Sequence, residues 1–315
     1  MKLQELIAKY VAFRKSMGED FESAESLLNT FSRRMGLDID VRNVRAKQVR
    51  AFLTGNGPIT RYWRRKYDTL HGLYRYATSR SLVTKSPLPI SVPKMPERFV
   101  PYIYTRDELR RLLDSTAVFP KYPRKLQAHT LRAILLLLYG AGLRVSESVA
   151  LTLEDVDLPS AVITIRDTKF NKTRLVPLGL ELNRVMAQYA ASRTKAGHAQ
   201  TDSAPFFVLR RGGPIAVQLV EQRFKYLREH AGISRTDGAR YQPRLHDLRH
   251  SFSVHRLISW YQQGADVQKL LPQLATYLGH INIASTQVYL TMTPELLQAA
   301  SQRFERYAFQ EVCHE

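Results

Sequence analysis

"AVITIRDTKFNKTRLVPL", residues 161–178, is where the chain changes period. Val162, Thr164 and Arg166 alternate with Ile163 and Ile165, a two-residue repeat that belongs to a strand. "TKFNK" breaks the run and "TRLVPL" returns, so the stretch reads as a β-hairpin. On either side the apolar spacing is helical. The hairpin therefore makes the chain mainly α, with a mixed α+β portion built on a small antiparallel sheet.

Upstream, "HTLRAILLLLYGAGL" reads as a buried helix ending at Gly140, and Val145–Leu151 as a short helix after it. "TRDELRRLLDST" carries Thr105 as N-cap with Glu108 three residues on, a capping box. Downstream, "APFFVLRRGGPIA" at 204–216 is expected to form another short strand pair. From Val217 onward the pattern is mostly helical. The closing stretch "TMTPELLQAASQRFERYAF" begins with Thr293 as N-cap and Pro294 at the first helical position. Leu296, Leu297, Ala300, Phe304 and Tyr307 then form an apolar stripe.

Five prolines fall within "KSPLPISVPKMPERFVPYIYT", 85–105, which no helix interior or central strand accommodates. The expected organisation is a helical domain over 1–88, a linker over 89–104, and a second domain over 105–315. Four helices are expected before the linker. In the first, Leu3, Leu6, Ile7, Tyr10, Val11 and Met17 share a face, with Gly18 as the stop. The second and third are "SAESLLNTFSRRMGL" and "RAKQVRAFLTG". The fourth, 60–80, places Tyr67, Leu70, Leu73, Tyr74 and Ala77 on one side. Arg61, Arg64 and Arg65, with Lys66 beside them, fall toward the other.

The 315 residues carry a net charge of +19. Residues 1–100 hold 19 Lys+Arg against 9 Asp+Glu; 101–200 hold 15 against 9, and 201–315 hold 13 against 10. Such an imbalance points to a polyanionic partner, and nucleic acid fits it best. The N-terminus reads as an amphipathic helix rather than a secretory signal. The most apolar run, 133–143, is bounded by Arg132 and Arg144 and falls short of the ~20 residues of a membrane span. With a single cysteine, Cys313, no intrachain disulfide can form. A cytoplasmic protein without membrane association is expected.

Several residues are chemically suggestive. In "GAGLRVSESVALTLEDVDL", Arg144 lies between apolar neighbours and needs an anionic partner. Glu147, three residues on, either orients it for a ligand or simply pairs with it, and both readings stand on this stretch alone. In "PRLHDLRHSFSVH", a helix starting near His246 puts His246, Arg249 and His250 on one face. Zinc is disfavoured by the arginine between the histidines, whereas an oxyanion suits all three. Lys169 at the hairpin tip reads either as an exposed turn residue or as an ammonium reaching into a cleft. In "LGHINIASTQVYL", Tyr289 follows His280 by nine positions. Together these are two arginines for non-bridging oxygens, histidines to donate or move protons, a lysine able to act as general acid, and a tyrosine. No metal or other cofactor is expected, since such a site draws its positive charge from side chains. Tyrosine, a poor nucleophile at its free pKa of about 10, can attack a phosphate held by two arginines and form a covalent phosphotyrosine.

The motifs "GLRVSE", "TKFNKTRLVPL", "HDLRHSF", "LGH" and "STQVYL" resemble, in order and spacing, those of the tyrosine recombinases, or phage-type integrases. The resemblance covers about 104–291. "TRYWRRKYDTLHGLYRYATSRSLVTKSP" is similar to the last helix of that family's SAM-like core-binding domain, and the length resembles Xer-like members. The resemblance implies a site-specific DNA recombinase that works through a 3′-phosphotyrosine without metal or ATP. In it Tyr289 is the nucleophile, Arg144 and Arg249 clamp the phosphate, and His280 supports them. Lys169 protonates the leaving 5′ oxygen, His246 assists, and Glu147 and His250 support. Arg61, Arg64, Arg65 and Lys66 are expected on DNA. Implied partners are double-stranded DNA with inverted-repeat sites and a homotetramer on it, with the C-terminal helix joining protomers and related recombinases as further partners. One departure is that "VHRLISWYQQGADVQKLLPQLATYLGH", 254–280, exceeds the Xer-like length by about two helical turns. It resembles recombinases of mobile elements that encode several integrases in tandem. Competing readings are a type IB topoisomerase, a DNA-binding protein with a degenerate site, and a metal nuclease.

Overall fold

The computed structural model describes residues 1–96, 100–117, 125–168, 172–239, 241–280, 282–291 and 294–312. The hairpin tip with Lys169, and the expected N-cap Thr293, lie outside them. The chain divides into two compact units, Met1–Phe99 and Val100–Glu315.

Among the described residues the first unit has four α-helices, α1 (Leu3–Ser16), α2 (Glu22–Met35), α3 (Ala46–Thr54) and α4 (Arg61–Ser79), with a 3-10 turn at Val41–Asn43. Their apolar stripes close on one core that includes Leu6, Leu28, Phe31, Val49, Leu70 and Leu73. Leu3, Leu6, Ile7, Tyr10 and Val11 are buried as the spacing predicts, but Met17 is not. The helix ends at Ser16, and Met17 caps it in solvent. In α4, Trp63 joins Leu70, Leu73, Tyr74 and Ala77 in the core, while Tyr67 is half-buried.

The second unit begins with α5 (Arg106–Asp114), whose Thr105 hydroxyl accepts from the Glu108 amide while Glu108 accepts from the Thr105 amide. The Leu-rich α6 (Ala128–Gly140) is buried on nearly every side. It packs on α7 (Val145–Ala150), α8 (Leu180–Lys195) and α10 (Asp247–Gln262). Between α7 and α8 lies an antiparallel sheet of β1 (Val156–Asp157), β2 (Val162–Thr168) and β3 (Lys172–Pro177), in that order. Ile163 pairs with Val176 and Ile165 with Arg174, followed by an irregularity between Ile165 and Thr168. Ile163, Ile165 and Val176 face the core, and Leu175 faces solvent.

The expected strand pair at 204–216 does not form. Pro205 makes a single bridge to Thr152, and the Leu209 amide bonds Gly213 across a tight turn. The glycines and proline there favour a turn over a ladder. The sheet's third strand is instead Val156–Asp157.

After α9 (Val217–His230) and α10 come α11 (Val267–Leu278), the single turn α12 (Ala284–Gln287), a 3-10 turn over Val288–Thr291, and α13 (Pro294–Val312). Their apolar residues form a second core around Phe252, Leu257, Leu274, Leu278, Tyr289 and Leu296. Helix α13 seats Leu296 and Ala299, while Leu297 and Phe304 are exposed. The predicted stripe is thus split between two faces; the side chain of Tyr307 lies outside the described residues. Among the described residues no helix is long and apolar enough to cross a membrane.

Candidate active site

The site is organised by the C-terminal end of α11. A helix leaves its last carbonyls without intrahelical partners, and they carry the negative end of its dipole. Here three consecutive carbonyls each accept from a different arginine. Tyr277 O takes Arg174 Nε at 3.0 Å, Leu278 O takes an Arg249 Nη, and Gly279 O takes Arg144 Nη2 at 3.5 Å. Gly279 makes this possible by turning the chain into the left-handed region at φ 66. That turn also sets His280 directly beside the cations.

Arg144 precedes α7 and Glu147 lies in its first turn, so helix geometry alone brings them together. The Arg144 guanidinium donates to Glu147 Oε1 at 2.6 Å, and its amide to Oε2 at 2.9 Å. Glu147 accepts again from Arg174, at 3.0 and 2.8 Å. Burial alone would raise the Glu147 carboxyl, but the Arg174 hydrogen bonds, the Arg144 amide and both guanidinium charges hold it at about 2. The Arg144 side chain stays 36 % exposed, on an open cleft that runs past Thr152 to Thr164. Arg249 is buried on α10, with its other Nη on Gly142 O at 2.6 Å. Burial and the neighbouring Arg144 lower it to about 10.

Tyr289 is 3 % exposed. Its hydroxyl shares a hydrogen bond with His250 Nδ1 at 3.1 Å. Burial pushes the phenol up, against the pull of Arg249, a Ser253 hydrogen bond and Arg144. The His250 ring meets that of His246 edge-on at 4.8 Å, and the His280 ring lies 6.2 Å from that of Tyr289. His280 shares a hydrogen bond of 2.7 Å with the buried Thr286 hydroxyl. Burial, His246 and nearby arginines lower His250 to about 3; burial, Arg249, Arg144 and Arg174 lower His280 to about 4. One side of His246 is open to solvent, yet the chain packed around the rest of the ring, with Arg249, lowers it to about 4. All three imidazoles are neutral at pH 7.

The structure therefore brings together Arg144, Glu147, His246, Arg249, His250, His280 and Tyr289. Lys169 lies outside the described residues. Arg174 is the residue that sequence reasoning missed. The signal was present: in "TRLVPL" it shares parity with the buried Val176, an arginine on the inward face of a strand. Among the described residues no group of three His, Cys, Asp or Glu is placed to hold a metal. The Asp–x–Asp steps in the chain are engaged locally. Asp38 and Asp40 pair with Lys2 and the N-terminus; Asp155 pairs with Arg166, and Asp157 accepts from the Ser160 amide.

In the first unit, Arg61, Arg64 and Arg65 are exposed along α4. Arg64 pairs with Asp68 at 2.9 Å, and Arg61 donates to Pro96 O at 3.1 Å. Lys66 differs, because its ammonium donates to Phe52 O at 2.8 Å and to Leu53 O at 3.4 Å, capping the end of α3. Burial lowers its pKa. The geometry removes Lys66 from the row of outward cations expected from sequence.

Residues 103–295 match the family model described as the phage integrase family. A Sinorhizobium fredii protein named as an integrase/recombinase, y4rE, is 34% identical, with 96% of this chain and 95% of the relative covered. The tyrosine recombinase XerD of Bifidobacterium longum is 32% identical over 78% of this chain and 76% of its own. Among solved structures, the Tn1549 transposon integrase in complex with circular intermediate DNA matches with a TM-score of 0.69 at 18% identity, covering 96% of this chain and 100% of that one. A lambda integrase tetramer bound to a Holliday junction matches at 0.67 and 16%, covering 92% and 77%.

Proposed function

The chain belongs to the phage integrase family of tyrosine recombinases, and on that premise we propose how its own residues cut and rejoin DNA. It is a tyrosine-type site-specific DNA recombinase. Tyr289 Oη attacks the scissile phosphorus, the bond to the 5′ oxygen breaks, and a 3′-phosphotyrosine remains. The energy of the phosphodiester is retained as an ester, so a 5′ hydroxyl reverses the step without ATP. Once the phosphate anion offsets the burial and neighbouring positive charges that depress its basicity, His250 accepts the phenolic proton across its hydrogen bond to Tyr289, and Lys169 supplies the proton that leaves with the 5′ oxygen. Arg144 and Arg249 hold the non-bridging oxygens. Each guanidinium has five N–H donors, so those spent on carbonyls and Glu147 leave others for phosphate. His280 and His246 add neutral donors beside them.

The observation that carries this reading is the convergence of a buried tyrosine, two arginines and three neutral histidines at one helix end. A preorganised cationic pocket of this kind stabilises charge that develops in the transition state. The substrate is double-stranded DNA with inverted-repeat sites, on which four copies of the chain assemble in the cytoplasm. The exposed Leu297 and Phe304 of α13 support that assembly, as an apolar face for a neighbouring copy. The test is a nicked suicide substrate. Tyr289→Phe should bind it normally and trap no SDS-resistant adduct; an adduct from the mutant removes Tyr289 as the nucleophile.

A further inference from the structure

We propose that Arg174 is a positioning residue for strand cleavage, holding Glu147 and the turn at Gly279 so that Arg144 faces the scissile phosphate. The inference rests on the recombinase reading above and concerns a residue that itself touches no substrate.

Arg174 lies on β3 with a side chain only 9 % exposed. A guanidinium taken from water needs good partners, since a buried unpaired charge is strongly unfavourable. Its partners are specific. Nη1 and Nη2 form a fork on the two Glu147 oxygens, and Nε reaches Tyr277 O. One planar group thus ties the hairpin to the first turn of α7 and to the end of α11. Those elements supply Arg144 and His280.

The charge balance follows from the same contacts. Glu147 is one anion between two cations. With Arg174 present, Glu147 is already neutralised and directionally saturated on one side. Arg144 then gives Glu147 one Nη contact and Gly279 O a long one from the other Nη, and its remaining N–H donors are left for the cleft. Without Arg174, the whole charge of a buried carboxylate would draw Arg144 inward, away from a phosphate. The packing agrees. A Cβ placed on Gly279 would lie 3.0 Å from Arg174 Nη1 and 3.2 Å from its Cζ. The guanidinium plane is therefore a wall against which the Leu278–His280 turn rests. A lysine carries the charge but cannot form the fork or the wall.

The test uses the full chain, a half-site gel shift, and a nicked suicide substrate made in two forms. One form has the ordinary phosphodiester at the scissile position. The other has a methylphosphonate, which lacks the negative charge and so depends less on Arg144. Total strand cleavage is read in both. Wild type must form the adduct and Tyr289→Phe must not; if that control fails, the recombinase reading falls and Arg174 is not at issue. Arg174→Ala should keep half-site affinity yet cleave the phosphodiester about 10–100-fold more slowly, the scale of a small misplacement of a reacting or binding group. On methylphosphonate the loss should shrink to a few-fold, in parallel with Arg144→Ala. Arg174→Lys should show an intermediate loss with the same relief. Adding Glu147→Gln to Arg174→Ala should recover part of the phosphodiester rate, because the unbalanced anion is gone. Equal loss on both substrates, or a loss that tracks half-site affinity, overturns the proposal. If Arg174→Ala does not fold, the comparison of Arg174→Lys on the two substrates decides.

Discussion

Gly279→Ala separates folding from catalysis in a way the structure allows to be worked out. Two costs arise. The residue sits at φ 66, ψ 41, where an L side chain costs about 1–2 kcal/mol. For a unit the size of Val100–Glu315, that converts to a fall in Tm of about 2–8 °C. The second cost is local. The added Cβ meets Arg174 Nη1 at 3.0 Å, and the guanidinium has little room to retreat, since Glu147 holds it on one edge and Tyr277 O on another. A few tenths of an ångström must be found by shifting the turn whose carbonyls hold Arg249 and Arg144. A full ångström of misplacement costs on the order of 10²-fold in rate, so a few tenths should cost about 3–10-fold. Gly197→Ala is the matched control, because Gly197 has φ 73 and open space where its Cβ would be. Both variants should melt lower by similar amounts in differential scanning calorimetry. Only Gly279→Ala should slow cleavage of the suicide substrate, measured at 25 °C where both are folded. If the two variants cleave equally well, or Gly279→Ala falls only in step with its folded fraction, the reasoning about the turn is wrong.

Acid should destabilise the second unit earlier than its carboxylates alone require. His250 and His280 are held at about 3 and about 4 when folded but titrate near 6.5 when unfolded. Their contribution is present above about pH 6.5 and is lost as pH falls toward 4, by roughly 1.4 kcal/mol per pH unit for each. Urea midpoints between pH 7 and 4.5 check this, and His250→Phe with His280→Phe should flatten the profile; an unchanged profile would mean the imidazoles charge freely in the fold. On α4, neutralising Arg61, Arg64 and Arg65 should flatten the log–log salt dependence of DNA binding by roughly two to three units. Lys66→Met should instead lower stability and leave that slope alone, as a cap on Phe52 O and Leu53 O would; a slope change from Lys66→Met would put its ammonium on DNA. On α13, Leu296→Ala should cost about 2–5 kcal/mol of stability, as a buried leucine does. Leu297→Ala with Phe304→Ala should leave the melt and half-site binding intact and weaken cooperative assembly on a full site; undiminished cooperativity would mean that face joins no neighbour.

Much of this protein is written in local order. The helices of the first unit follow from a 3.6-residue apolar repeat, and the hairpin from a two-residue one, because both repeats record which side of a short segment leaves water. The prolines of 85–105 mark the region where the chain divides, since they lack the donor that any regular element needs. Arg144 with Glu147, and His246 with Arg249 and His250, were legible as pairs and triplets because three- and four-residue steps share a helix face. The nine-residue step from His280 to Tyr289 was legible only through the resemblance to the recombinase motifs, since residues nine apart fall on opposite sides of a helix.

What tertiary structure alone decided involves partners far apart in the chain. Arg174 reaches Tyr277 across 103 residues and Glu147 across 27. No periodicity carries that information, and an inward arginine on a strand shows only that some partner must exist. The three carbonyls at the end of α11 become a cation site only when α7, β3 and α10 close around them. Tyr289 selects His250 among three neighbouring histidines through the fold of α10 against the 3-10 turn. Lys66 looks, in sequence, like its neighbour Arg65, yet the end of α3 beneath it turns a surface cation into a cap. Leu296 and Leu297 are adjacent and chemically identical, and docking against α10 buries one and leaves the other in solvent. Local pattern tells which residues must be satisfied; the packing of distant segments determines by what, because burial and hydrogen bonding are properties of surroundings that the chain assembles only when it folds.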